Sequence, residues 1–221
     1  MTKNILLPVL FIPFLAGCLG SAPPVPRDHY YRLLVAAPAQ TKSDARFAGV
    51  MRVELFQADG LLRERPLLYS ESGAPHEVQQ HNYHYWTGAP PRMLQEQLVA
   101  YLRRSQIAHS VVTPDLRVRA DYQVSGKIKR LERLLGGGPP RGFVEMELAL
   151  VRLSNNSLVL VDSFTEEEPD TGDSVESAIT ALNRATGRLF DRFVVKATGA
   201  ASRIAAQVLP PGSTTKTGVR R

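Results

Sequence analysis

The residue best suited to chemistry in this chain is Cys18, the only cysteine among 221 residues. A lone cysteine cannot form an internal disulfide, so its thiol is free to be modified. It follows an apolar run, Ile5–Leu15, which is shorter than the roughly 20 residues needed to cross a bilayer but suits a signal-peptide core. Small Ala16 and Gly17 stand directly before it and would let a peptidase approach the backbone. We therefore predict that Cys18 is acylated and that the chain is cut before it.

The four residues Leu15, Ala16, Gly17 and Cys18 resemble the lipobox of bacterial lipoprotein signals in every position. The resemblance implies an exported lipoprotein held in a membrane by lipid on Cys18, such as palmitate. Two or more acyl chains anchor a protein stably, since each buried methylene contributes about 0.8 kcal/mol. Leu19 stands where inner-membrane lipoproteins often carry Asp, so the sorting rule favours the outer membrane, facing the periplasm. The alternative is ordinary cleavage elsewhere in an unacylated signal peptide.

Three histidines, His76, His81 and His84, suggest a metal site at first sight. In a regular strand His81 and His84 would point to opposite faces and could not easily share an ion. No second cysteine and no carboxylate at ligand spacing would complete a coordination shell. We expect no metal and no cofactor besides the covalent lipid on Cys18.

Two other stretches resemble fragments of catalytic or nucleotide sites. Glu166–Glu168 with Asp170 offers paired carboxylates, but consecutive carboxylates in a loop are usually solvated. Ser125–Lys127 (SGK) lacks the upstream glycine of a phosphate loop, and it falls within a predicted strand, where Gly126 marks a bulge or a close approach. No pattern of a nucleophile with its activating base accompanies either stretch. We expect a protein that is not an enzyme.

Tyr83, Tyr85 and Trp86 form the candidate contact patch of the chain, because tyrosine and tryptophan are over-represented in interface hot spots. The alternative is packing in the core at a strand end beneath the following helix. For Trp86 we favour the core, since a lone tryptophan usually anchors one. Tyr83 and Tyr85 share a strand face with His81 and could serve either purpose.

The formal net charge of +6 suggests anionic partners such as nucleic acid, phosphate-rich lipid or an acidic protein surface. Export makes nucleic acid an improbable partner and leaves a membrane surface or another protein. Hydrophobic residues make up 43% of the chain and charged residues 22%, as in an ordinary globular domain.

Period-2 alternation and short apolar runs bounded by turn signals predict the strands, and 3.6-residue spacing predicts two helices. The predicted strands are 29–36, 50–56, 65–70, 77–86, 110–112, 116–129, 143–153 and 157–164. A helix begins at Pro90-Pro91, with Met93, Leu94, Leu98, Tyr101 and Leu102 on its apolar face. A second helix begins near Asp173, which has capping-box spacing to Glu176, and runs as far as Gln207. The Gly136–Pro140 loop is expected to be a flexible hairpin tip.

This order predicts an α+β two-layer sandwich, a mainly antiparallel sheet with both helices packed on one face. The domain organisation follows: a signal peptide at 1–17, a lipidated cysteine and Pro-rich tether at 18–28, one folded domain at 29–208 and a basic, disordered tail at 209–221.

The mature chain resembles the ABC-type transport auxiliary lipoprotein family, the group that contains paraquat-inducible protein C. The resemblance runs from about His29 to Ala206 and rests on the order of several elements. Tyr30–Leu33 follows the tether, Leu67–Tyr69 precedes a polar stretch, and Tyr83–Trp86 leads through a proline pair into the helix that carries Met93 and Leu94.

This resemblance implies a non-enzymatic accessory lipoprotein of an ABC or mammalian-cell-entry (MCE) lipid transport system, which docks the periplasmic conduit to the outer membrane. The implied partners are an MCE-domain protein, an ABC transporter or related permease, membrane lipid and further copies in a homo-oligomeric ring. Two alternatives stay open: a periplasmic carrier that binds lipid itself, and an assembly factor of another envelope complex.

Overall fold

The computed structural model describes residues 25–38, 47–172 and 174–208, with the side chains of 204–208 excepted. The strands are β1 His29–Tyr31, β2 Phe47–Val53, β3 Pro66–Glu71, β4 Gln79–Trp86, β5 Ala108–Val112, β6 Tyr122–Leu135, β7 Arg141–Arg152 and β8 Ser157–Pro169. The helices are α1 Pro90–Arg104 and α2 Val175–Val208, with short 3₁₀ turns at Gly60–Arg63 and Pro114–Leu116. The lipobox, the predicted signal peptide, the first part of the tether, Asp173 and the predicted tail lie outside the described residues.

The sheet is organised around β6. One edge of β6 pairs antiparallel with β7 along its whole length, and β8 pairs antiparallel with β7. The other edge of β6 is shared: β2 pairs with its first residues and β3 with its last, both in parallel. β5 continues the sheet beyond β2, while β4 and then β1 continue it beyond β3. The longest pairings are therefore antiparallel, and the predicted α+β class is confirmed.

One continuous core joins both helices to the sheet. Its strand residues include Met51, Val124, Val144, Met146, Leu148 and Leu150, and its helix residues include Leu94, Leu98, Leu102, Leu182, Leu189, Phe190 and Phe193. The predicted apolar face of α1 is confirmed, since all five of its residues are buried. Burying a large apolar side chain contributes about 1.5–3 kcal/mol, so this core provides the main favourable term for folding.

The prediction of a strand over 29–36 is wrong beyond Tyr31. The chain leaves the sheet there and packs Leu33 and Val35 into the core. The amide of Leu34 donates to Oδ1 of Asn183 on α2 at 2.9 Å, and the amide of Val35 donates to Oε1 of Gln97 on α1 at 3.0 Å. Side chains from both helices thus satisfy backbone groups that a strand neighbour would otherwise bind.

The prediction of a strand over 116–129 begins too early. Leu116 ends a 3₁₀ turn and Arg117 adopts φ +52°, so β6 starts at Tyr122 and continues to Leu135. Leu116 and Val118 are exposed despite their alternating pattern. The expected close approach at Gly126 is confirmed, because a Cβ there would lie 2.6 Å from Cδ2 of Leu148.

The expectation that Glu166 and Glu168 are solvated loop residues is wrong. β8 extends to Pro169 and directs both side chains toward α2. Their side chains are only 13% and 14% exposed. Arg184 pairs with Glu168 at 2.8 Å, Arg192 pairs with Glu166 at 2.6 Å, and Arg188 pairs with both carboxylates. These carboxylates fasten the second helix to the last strand.

The Gly136–Pro140 stretch is the predicted hairpin tip, joining β6 to β7. Its three glycines all have positive φ, which residues with a Cβ rarely adopt. The tip lies beside the β3–β4 turn, where the amide of Ser72 donates to the carbonyl of Leu135 at 2.8 Å.

Candidate contact surface

β4 is interrupted by a bulge at the aromatic residues singled out from the sequence. Pro66 of β3 pairs with Tyr85 of β4, and Leu68, two positions later, pairs with Gln80. The antiparallel strand β4 therefore contains more residues than β3 over this stretch. Tyr83 lies within the bulge and has φ +63°. Bulges redirect side chains and end regular pairing, and this one leaves Tyr83 41% exposed.

Trp86 belongs to the core and is not part of the contact patch. It is 1% exposed, and its amide donates to the carbonyl of Arg65 at 2.7 Å. A side chain without exposed surface cannot meet a partner unless the fold opens, so the contact interpretation of Trp86 is corrected and the core alternative holds. Tyr85, by contrast, is half-buried.

Tyr30 is an exposed aromatic residue of the same surface that the sequence reasoning did not select. β1 pairs in parallel with β4, which places Tyr30 opposite Tyr85 with ring centroids 5.7 Å apart. The guanidinium of Arg65 lies 5.6 Å from the Tyr30 ring centroid. Tyr30 is 52% exposed. Tyr30 and Tyr85 are far apart in the chain, which hid their grouping, and the parallel register of β1 and β4 brings them together.

The histidines are arranged differently from the expectation. The bulge brings the rings of His81 and His84 to 6.1 Å, so the two do not point to opposite faces. His29 stacks on His84 at 5.0 Å, and His76 lies exposed on the β3–β4 turn. Within the described ranges no group of three or more His, Cys, Asp or Glu side chains is arranged to hold a metal ion.

His84 takes part in a polar network beneath the start of α2. The Tyr31 hydroxyl lies 2.8 Å from Nδ1 of His84 and donates to Oε1 of Glu176 at 2.9 Å. Burial, together with this bond to Glu176, raises the pKa of Tyr31 to about 12. The network connects β1, β4 and α2, and so fixes the strand on which Tyr30 lies.

His81 is half-buried, with one ring nitrogen out of contact with solvent. Its Nε2 is buried and has no hydrogen-bond partner among the described residues. Burial lowers the pKa of His81 below its usual 6.5, and the nearby charges of Arg133 and His84 lower it further. His81 is therefore neutral in the folded protein near neutral pH.

We expect the free energy of unfolding to fall as the pH drops below 6.5, with a contribution from His81. Its pKa is lower in the folded than in the unfolded chain, so the unfolded chain binds the proton more readily. The stabilisation is complete above the unfolded pKa and is lost as the pH falls through the folded one. Urea unfolding at about pH 5 and about pH 7.5 measures the difference, which should shrink in His81→Gln.

His76→Gln is the matched control for this experiment, because His76 is exposed. It should keep the pH dependence of the wild-type protein. An unchanged pH dependence in His81→Gln would contradict the prediction.

The sequence also matches a family description. The model of the ABC-type transport auxiliary lipoprotein component matches residues 31–194, most of the described chain. This chain belongs to the ABC-type transport auxiliary lipoprotein family. The resemblance inferred from the tyrosine, tryptophan and helix order is thereby confirmed.

Solved structures support the fold of this auxiliary lipoprotein. A Xanthomonas campestris protein superimposes with a TM-score of 0.70 at 16% identity, covering 80% of this chain and 99% of its own. A second, uncharacterised protein gives a TM-score of 0.56 at 15% identity, covering 83% of this chain and 100% of its own. At sequence identities this low, the structural similarity supports the fold alone. No curated protein matches the chain.

The family places the auxiliary lipoprotein in a transport system as a component of the cell envelope. The family description is that of a transport auxiliary component, and the Glu166 and Glu168 carboxylates serve to hold α2. Neither helix of the described residues combines the length and the apolar character that crossing a bilayer requires.

Proposed function

We propose that this auxiliary lipoprotein is anchored in the outer membrane through lipid on Cys18 and faces the periplasm. Its role is non-enzymatic: it docks the periplasmic end of an MCE-type conduit to the outer membrane, in a system powered by an ABC transporter or served by a related permease. The observation that carries the proposal is the family match over residues 31–194, combined with the lipobox sequence at Leu15–Cys18.

The architecture supports a positional mechanism. A rigid domain with one continuous core follows a short Pro-rich connection to Cys18. β1, the first element after that connection, is held by strand pairing and by the contact of Tyr31 with Glu176. A pull on the anchor would therefore be transmitted to the folded domain near its first strand.

We propose that Tyr83 and Tyr85 of β4 contact the partner protein in the assembly. Further copies of the chain in a ring are part of the same proposal. A ring would present several anchors and several docking surfaces at once, and such multivalency strengthens attachment without new types of contact.

The test is a pull-down from separated inner and outer membranes, with the wild-type lipoprotein and with Cys18→Ala. We expect the wild type to recover an MCE-domain protein from the outer-membrane fraction. Cys18→Ala should lose membrane attachment, because no thiol remains to be acylated.

Each result of the pull-down has one meaning. Membrane attachment without an MCE partner would contradict the adaptor role and favour an assembly factor of another envelope complex. Attachment that persists in Cys18→Ala would contradict the lipid anchor. Native mass spectrometry of the same preparation detects a co-purified lipid, which would favour a carrier instead.

A further inference from the structure

We infer that the surface beside β1 lies against the headgroup region of the bilayer that holds Cys18. We call this surface the tether patch and define it by Arg27, Tyr30 and Arg65. The inference rests on the proposed lipid anchor and adds to it the orientation of the domain and the residues that set it.

The first argument is the length of chain between the anchor and the fold. Val25, the first described residue, stands seven positions after Cys18, and even a fully extended chain spans only about 25 Å over that distance. β1 begins four residues later, at His29. The domain cannot move far from the membrane, and β1 is its most closely tethered element.

The second argument is the position of β1 in the sheet. The strand order β1-β4-β3-β6-β2-β5 places β1 at one end of this path and β5 at the other. The segment that follows β5 carries Leu116 and Val118 and belongs to the far side. A tether attached at β1 therefore brings the β1 side toward the bilayer more readily than the β5 side.

The third argument is chemical. Tyrosine is enriched at the membrane interface, because its ring prefers the acyl boundary while its hydroxyl stays in the headgroup layer. Tyr30 is 52% exposed. The Tyr30 ring lies 5.7 Å from the Tyr85 ring and 5.6 Å from the guanidinium of Arg65, which gives an aromatic surface with a cation beside it.

The local charge fits an anionic surface. Arg27, Arg32 and Arg65 are exposed here, against the carboxylates of Asp28 and Glu64. The Asp28 carboxylate accepts a hydrogen bond from the Tyr30 hydroxyl at 3.2 Å. The arginine excess matches the positive charge of the whole chain. Near an anionic bilayer one such basic residue changes binding by about fivefold.

The experiment uses the full lipidated protein in vesicles of phosphatidylethanolamine with about one third phosphatidylglycerol. A fluorophore is attached to Asn82→Cys, on the strand that pairs with β1, or to Asp115→Cys, on the far side; both positions are exposed. Lipids with a nitroxide in the headgroup quench a fluorophore that lies near the bilayer. We expect quenching about fivefold greater at position 82 than at position 115.

A matched pair of double variants tests which side chains set this orientation. Tyr30→Ser with Arg65→Glu should reduce quenching at position 82 at least fivefold. Val118→Ser with Arg119→Glu makes the same kind of change on the far side, where both residues are exposed, and should leave quenching unchanged. Circular dichroism of each variant verifies the fold.

The outcomes separate this inference from the proposed function. Failure of the lipidated protein to float with vesicles contradicts the anchor and the inference together. Flotation with equal quenching at positions 82 and 115 contradicts the inference alone. So does quenching at position 82 that is unchanged by the patch substitutions. If the patch variant instead loses recovery of an MCE protein while its quenching is unchanged, the patch is a protein interface and the inference is overturned.

Discussion

Trp86→Ala is expected to lower the free energy of unfolding by about 3–5 kcal/mol, because it removes a large, fully buried side chain and leaves a cavity. Trp86 is 1% exposed and belongs to the core cluster that joins the sheet to both helices. A loss of this size is a large fraction of the stability of an ordinary domain. Urea unfolding monitored by far-UV circular dichroism measures it, since the variant lacks the tryptophan fluorophore.

Tyr83→Ala is the control, only three positions away in the same strand. Tyr83 is 41% exposed, so its replacement should change the free energy of unfolding by no more than about 0.5 kcal/mol. The two variants distinguish a side chain packed in the core from one exposed at the surface within the same aromatic stretch. Equal losses in the two variants would contradict the assignment of Trp86 to the core and Tyr83 to the surface.

Gly142→Ala is expected to lower the free energy of unfolding by about 3 kcal/mol, because overpacking forces backbone shifts. A Cβ at Gly142 would lie 2.7 Å from the amide nitrogen of Leu182 and 2.8 Å from the carbonyl carbon of Ala181. These are backbone atoms of α2, which cannot rotate away as the end of a flexible side chain could. β7 and α2 would have to separate where they now touch.

Gly199→Ala provides the matched control, because it adds the same methyl group elsewhere. Gly199 is exposed on α2, and a Cβ there would meet no heavy atom within 4 Å. Glycine is a poor helix former, so this change should stabilise the protein by about 1 kcal/mol. Both changes are read from urea unfolding curves. Stability gained or unchanged in Gly142→Ala would show that β7 and α2 do not approach as closely as described.

The features that the sequence predicted well are those that depend on near neighbours in the chain. α1 begins at the proline pair and buries the five predicted residues, since proline placement and 3.6-residue spacing are local properties. The β7–β8 hairpin and the glycine tip before β7 follow from alternation and turn residues. The family resemblance rested on the same local order of elements. The acylation of Cys18 is likewise a local prediction, and it remains one because that residue lies outside the described ranges.

The errors arise where distant segments meet. Alternation over 116–120 predicted a strand, but no strand among the described residues pairs with this segment. An alternating sequence forms a strand only where a neighbouring strand accepts and donates its backbone hydrogen bonds. Residues 33–36 leave the sheet because Asn183 and Gln97, far along the chain, accept their amide hydrogens. Glu166 and Glu168 meet arginines more than a dozen positions away. None of these partners can be recognised from the residues alone.

The contact surface shows the same difference between features predicted from local sequence and features decided by distant contacts. Amino-acid types selected Tyr83, Tyr85 and Trp86, and by themselves they also determined the lipobox, the two helices and the α+β class. The β4 bulge then decided that Tyr83 is exposed and that His81 and His84 are close, and the parallel register of β1 added Tyr30. Burial of Trp86 was settled by the core that forms around it. Sequence specifies local geometry and chemistry, whereas exposure depends on which distant atoms occupy the remaining space.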